Sequence, residues 1–262
     1  MTNDLNIRIV RALRYFGDSH WNCQGILYPY NTLYFVLGGD GHIRHNGIVT
    51  DMHPGNAYLI PPHHRHDIWC DTYVKKVYVD VHVELFPGYD VFADTGKVLC
   101  QPLGLERCNR IYALCEGGIR ECLALRGELN LILAGFLTEE PKPASPKIST
   151  LLPIITDMQQ NLSAQIRRED MAAKYGWNPS VLSRTFKQVF GCGMKQYAEK
   201  LLTARLVEEI LLTNKTLQQL AVEYGFCDSY YLSAFFKRNM GVSPSTYRRI
   251  HFRENEHQKT AP

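Results

Sequence analysis

From Tyr28 to about Phe86, short runs such as "LYFVL", "NAYLIP" and "VKKVYVDVHVEL" alternate with the turn-forming stretches "GGDG", "HNG" and "HPGN". Short β-branched and aromatic runs at this spacing predict antiparallel strands in a sandwich or small barrel. In "VYVDVHVE" the alternation is strict: Val77, Val79, Val81 and Val83 share one face, Tyr78, Asp80, His82 and Glu84 the other. Two arrangements are open. Either the valines point inward and the polar row meets water, or the polar row lines the interior. From about Leu105 to Leu137 the period becomes helical, broken at Gly117–Gly118, which predicts two helices or one bent helix. Cys108, Cys115 and Cys122 fall seven apart there, with Ile111, Leu125, Leu129, Ile132 and Phe136 in compatible heptad places. Such a seam packs on its own sheet or on a second subunit, and it is the basis for expecting a homodimer. Cysteine on it reads as a small buried hydrophobe.

"TEEPKPASPKIST" (138–150) holds three prolines among small and charged residues. Proline supplies no amide hydrogen and biases its predecessor toward extended backbone, so 138–149 is expected to be a linker. It separates a domain over 1–137 from one over 150–262.

Beyond the linker the chain repeats itself. "MAAKYGW" (171–177) matches "LAVEYGF" (220–226), and "LSRTFK" (182–187) matches "LSAFFK" (232–237). Each part of the pattern has a physical reason. Ala172 and Ala221 let two helices approach, and Gly176 and Gly225 accept the left-handed backbone that ends a helix. Trp177 and Phe226 fill the space between crossed helices. Leu182 and Phe186, like Leu232 and Phe236, anchor the second helix from one face. The opposite face then offers Ser180, Ser183, Arg184 and Lys187 in the first copy, and Ser229, Tyr230, Tyr231, Ser233 and Lys237 in the second. This is the helix-turn-helix pattern, whose second helix enters the DNA major groove.

Composition narrows the alternatives. With 45% hydrophobic and 21% charged residues the chain is far from the disordered class. No apolar stretch reaches the ~20 residues of a membrane span. "MTNDLNIRIVRALRYFG" lacks the apolar core of a signal peptide, so a cytoplasmic location with reduced thiols is expected for the eight cysteines. Residues 1–148 carry 14 Lys/Arg against 16 Asp/Glu; residues 149–262 carry 15 against 10. The basic second half is the part that suits a polyanion.

Residues from about 150 to 250 resemble the double helix-turn-helix domain of AraC-type (AraC/XylS) transcription regulators. "GFCDSYYLSAFFKRNMGVSPSTYRR" resembles that family's signature nearly throughout, including Gly241, Pro244, Tyr247 and Arg248. The resemblance implies a linking helix over about Met194–Leu212 and recognition helices in successive major grooves. The sequence departs from the family at Ala234 and Leu202, both places often held by arginine.

"LYFVLGGDGHIRHNGIVTDMHPGNAYLIPPHHRHDIW" resembles the cupin-like ligand-binding domain of sugar-responding members, through Gly39, Gly41, Gly47, Pro54-Gly55, Ile60-Pro61-Pro62 and His66. By that resemblance Tyr78, Asp80 and His82, with His64 and His66, are the candidate ligand-binding residues. Gly38 stands where the arabinose-responding type has a ligand-contacting arginine. The histidines invite a metal reading, but the H-x-H-x-x-x-E cupin motif is missing, so no metal or other cofactor is expected.

The expected fold is therefore multidomain α+β. A cupin-like β-barrel with a helical dimerisation segment precedes an all-α domain with two helix-turn-helix motifs. The expected function is a ligand-responsive, sequence-specific transcription regulator, not an enzyme. Its partners would be double-stranded DNA, a sugar-like effector, a second copy and RNA polymerase. Two alternatives stay open here: a cupin metalloenzyme carrying a DNA-binding tail, and a DNA-binding protein whose first domain only dimerises or senses redox through its cysteines.

Overall fold

Eight strands build the first half: β1 (Asn6–Asp18), β2 (Asn22–Ile26), β3 (Asn31–His45), β4 (Ile48–Met52), β5 (Asn56–Ile60), β6 (His66–Phe86), β7 (Tyr89–Asp90) and β8 (Leu99–Pro102). They belong to a computed structural model that describes residues 5–138 and 147–256. The described residues form two compact units, one of residues 5–85, 90–138 and 249–256, the other of 86–89 and 147–248. Most of the predicted linker, 139–146, lies outside the described residues.

The strands run β1-β6-β3-β5-β8 in one sheet, with β2 and β7 on β6 and β4 on β3. The end strands β1 and β8 do not pair, so this is an open antiparallel sheet and not the closed barrel that the sequence led us to expect. It curves because β3 and β6 are long and bulged. Their register shifts between Val36 and Gly38 and again between Gly39 and Gly41. Gly39 has φ +92°, and a Cβ there would stand 1.9 Å from the Tyr73 carbonyl oxygen, so glycine is required at the bend.

The strand region also starts earlier than the sequence pattern showed. In β1 a bulge between Ile9 and Arg11 breaks the alternation that would have revealed it.

The valine row of β6 packs with Leu33, Phe35, Ala57 and Leu59 beneath two helices, α1 (Leu105–Leu114) and α2 (Ile119–Phe136). Those helices contribute Cys108, Ile111, Leu125, Leu129, Ile132 and Phe136. The heptad seam therefore closes over its own sheet and is unavailable to a second subunit. Each large side chain buried this way contributes about 1.5–3 kcal/mol. Burial pushes the Cys108 thiol up to about 11, which keeps it a neutral filler.

Behind the valines, Tyr78, Asp80, His82 and Glu84 are buried as well. This stretch of β6 is covered on both faces, so the solvated reading of its polar row does not hold.

From residue 148 onward the described elements are helices: α3 (Ile148–Gln160), α4 (Arg168–Lys174), α5 (Pro179–Phe190), α6 (Met194–Leu212), α7 (Leu217–Glu223), α8 (Ser229–Met240) and α9 (Pro244–Glu256). α6 spans the range predicted for the linking helix and is buried along its length at Leu202, Leu206, Val207 and Ile210.

Candidate nucleic-acid interface and interior chamber

The two copies of the repeat fold alike, down to single hydrogen bonds. α4 and α7 each end at a glycine with positive φ, Gly176 at +68° and Gly225 at +69°. The next residue closes the turn: Trp177 N–H donates to Ala172 and Phe226 N–H to Ala221. α5 is then capped by Asn178, whose side chain accepts from the Ser180 and Val181 amides, and α8 by Asp228, which accepts from the Tyr231 amide. Leu182, Phe186, Leu232 and Phe236 are fully buried beneath the second helices.

That anchoring leaves the predicted reading faces outward. Ser180, Arg184 and Lys187 are exposed on α5, and Tyr230, Tyr231 and Lys237 on α8, where Tyr230 is 86% exposed. Three predicted residues are partly engaged. The Ser183 hydroxyl accepts from Arg168 at 3.2 Å, Ser233 donates to the Ser229 carbonyl at 2.8 Å, and Ser229 is half-buried. Ala234 is exposed at the place matching Arg184, so α8 lacks the corresponding fork of donors. Leu202 is core, with no polar role. The signature residue Arg248 works inside the fold: it donates to the carbonyls of Ile210 and Lys215 and ties α9 to the end of α6.

One residue of each recognition helix, Ser183 and Tyr231, lines a shared open cleft of about 680 Å³ between the motifs. Arg167, Arg168 and Lys195 line it too, beside the α6 N-terminus at Gly193 and Met194, where no side chain caps the helix. Basic side chains and uncapped amides favour phosphate. Sequence reading missed these three cations. The pair in "QIRRED" was visible, but only the fold brings it beside both recognition helices.

In the first unit the sheet brings four of the five ligand candidates into one interior network. The register sets Asp80 between Arg11 and Thr32, and Tyr78 between Leu13 and Tyr34. Asp80 is fully buried; its Oδ2 accepts from Arg11 Nε at 2.5 Å and its Oδ1 from the Thr32 hydroxyl at 2.7 Å. Burial is the largest single influence and works against the Arg11 charge, but the Asp80 carboxylate together with Tyr78, Tyr30 and Tyr28 outweighs it and holds the guanidinium pKa above its usual value. Tyr28 stacks on Tyr30 and lies 6.2 Å from His66, while His82 meets the Tyr30 ring edge-on at 5.7 Å.

His64 lies apart, its ring 4.9 Å from His45 and its Nδ1 2.9 Å from the Pro62 carbonyl. His63 is exposed and His66 buried, so the histidine cluster does not converge. Among the described residues no group of three or more His, Cys, Asp or Glu is placed to hold a metal ion. No helix among them is long and apolar enough to cross a membrane.

Two helix-turn-helix motifs joined by one buried helix, with both reading faces outward, define a DNA-binding transcription regulator. A family model described as "Helix-turn-helix domain" matches residues 171–250. The chain is 27% identical over 256 residues to the arabinose operon regulatory protein of Salmonella typhimurium, covering 90% of this chain and 88% of that protein. It is 21% identical over 239 residues to the transcriptional activator RhaR of Pectobacterium atrosepticum, covering 84% of each. The fold is shared with ToxT from Vibrio cholerae O395, at TM-score 0.59 and 11% identity over 95% of this chain and 98% of that one. The chain belongs to the AraC-type family of transcription regulators.

Proposed function

We propose that this regulator reads DNA with α5 and α8 and takes a sugar or related small molecule in the interior of its sheet unit. The observation that carries the DNA reading is the shared basic cleft onto which both recognition helices open. Ser180, Ser183, Arg184 and Lys187 serve one major groove. Ser229, Tyr230, Tyr231, Ser233 and Lys237 serve the next, and Arg167, Arg168 and Lys195 hold the phosphates between. Arginine takes guanine bidentately, whereas the tyrosines and serines of α8 bond single base edges or phosphates.

The polar interior favours a small-molecule effector, as the arabinose-operon name of one relative does. In this reading Tyr78, His82 and His66 face the effector, and Asp80 acts through Arg11. The chain carries out no catalysis, works in the cytoplasm and recruits RNA polymerase when bound upstream of a promoter. Residues 138–149 link a sensing domain over 1–137 to a DNA-binding domain over 150–262.

Dimerisation needs a surface other than the buried seam. A second stripe on α2, Ile119 (84% exposed), Leu123 (64%) and Leu131 (68%), lies four or eight residues apart on one face and suits a second copy. The test of the reading is DNA selected from random sequence with the full chain, followed by titration with candidate effectors. An enriched site whose affinity changes with an effector supports it. Binding indifferent to sequence overturns it.

A further inference from the structure

The interior of the sheet unit holds two basic side chains inside an aromatic wall. Lys76 is 2% exposed, and its ammonium sits 3.6 Å from the Tyr34 ring centroid, 3.9 Å from Trp21 and 5.3 Å from Tyr15. The Arg11 guanidinium lies 5.0 Å from the Tyr78 centroid and 5.9 Å from Tyr28. Tyr15, Trp21, Tyr28, Tyr34, Lys76 and Tyr78 pack around narrow gaps, none wide enough for a water molecule.

Two donors, Trp21 Nε1 on this wall and Arg11 Nη2 beside its Tyr78 and Tyr28 rings, are buried and have no hydrogen-bond partner among the described residues. Buried donors without an acceptor are rare in native proteins. The carboxylate of Asp80 is already engaged, one oxygen by Arg11 Nε and the other by Thr32.

We propose that the effector carries a carboxylate, which accepts from Arg11 Nη2 and Trp21 Nε1 beside the Lys76 ammonium while its body lies against the tyrosine rings. The proposal rests on the reading of this unit as the effector-binding part and names the chemical class of that effector. Arg11 Nη2 and Trp21 Nε1 only donate, so the group that meets them must accept from both. A carboxylate is acceptor-only, and its bonds to cationic donors are charge-assisted. A cationic ligand is excluded by charge, because the aromatic cage already surrounds an ammonium. The gaps are narrow, so entry requires a side chain to move. Lys76, on a flexible four-carbon stem, is the lining residue able to swing from the rings toward a carboxylate.

The test is isothermal titration and thermal melting of the full-length chain with D-glucuronate, D-gluconate and benzoate, each beside a neutral counterpart, D-glucose or benzyl alcohol. The expected result is that at least one acid binds and raises the melting temperature while its counterpart does not. Lys76→Met and Trp21→Phe should each weaken that acid by about tenfold or more, since each removes a donor to the carboxylate. Methionine fits the apolar stem's place and phenylalanine keeps a ring in the cage, so either variant alone is decisive. Acids that bind equally well to both variants overturn the site. Neutral compounds that bind where the acids do not overturn the acid while sparing the effector reading. Absence of binding by every probe overturns both.

Discussion

Arg11 and Asp80 face each other across neighbouring antiparallel strands, Nε to Oδ2 at 2.5 Å, with both side chains buried. From sequence, Asp80 reads as a group that pairs with effector hydroxyls, so that its loss would silence the response and nothing else. The ion pair changes that expectation. Removing one partner of a buried pair strands the other charge and costs about 3–5 kcal/mol. Asp80→Ala should therefore lower the urea midpoint of the sheet unit markedly. A loss below about 1 kcal/mol would mean that Arg11 finds water or another partner when Asp80 is gone.

Asp90 makes a second prediction, about pH. Its carboxylate accepts from Asn31 Nδ2 at 2.6 Å and from the amides of Val83 and Phe92 at 3.0 and 2.9 Å. Burial nonetheless pushes its pKa up to about 6. The folded state thus holds this proton more tightly than the unfolded chain does, and stability is lost as pH rises from the ordinary carboxylate range through about 6. Asp90→Asn removes that loss. Its stability relative to wild type should improve by on the order of 2 kcal/mol between about pH 4.5 and pH 7.5. A constant difference across that range would contradict the buried, proton-binding carboxylate.

On the DNA side, base-reading and phosphate-holding residues differ in how they respond to sequence and salt. Arg184→Ala should cost about 1–3 kcal/mol on the selected site and much less on random DNA. Arg168→Ala should weaken both alike and reduce the slope of log affinity against log salt by about 1, as expected for one lost phosphate contact. Fluorescence anisotropy over a salt series separates the two. Interchanged behaviour of the two variants would refute the assignment.

The outer stripe of α2 predicts the oligomeric state. Leu131 is 68% exposed on a helix whose other face is fully used by the sheet. Leu131→Asp should convert a micromolar dimer to monomer in sedimentation without lowering the melting temperature. A wild-type chain that sediments as a monomer would remove this surface from the account.

The helical half was legible because its signals are local. Ala172, Gly176 and Trp177, repeated at Ala221, Gly225 and Phe226, each report a backbone need within one turn, and the structure meets each of them. The sheet half was harder. Val77–Glu84 alternates, but both of its faces are buried, so polarity there marks an interior network and not solvent. β1 escaped notice because its bulge at Ile9/Arg11 shifts the period, and with it went Arg11, whose role depends on a strand partner 69 residues away. Lys76 reads as an ordinary surface lysine, because only the folded sheet sets Trp21 and Tyr34 around it. Of the seam, Cys108, Ile111, Leu125, Leu129, Ile132 and Phe136 are buried over two helices while Cys122 is exposed, and heptad spacing does not distinguish a sheet from a second subunit as the surface covered.

The central claim is that one chain reads two successive major grooves with α5 and α8. Methylation interference on a selected site tests it most directly. The account predicts two blocks of interfering purines about 10–10.5 base pairs apart on one side of the duplex for each bound chain. One block should contain a guanine whose interference disappears in Arg184→Ala, and the other should be unaffected by that substitution. A single block, or two blocks that both fade with Arg184→Ala, would contradict it.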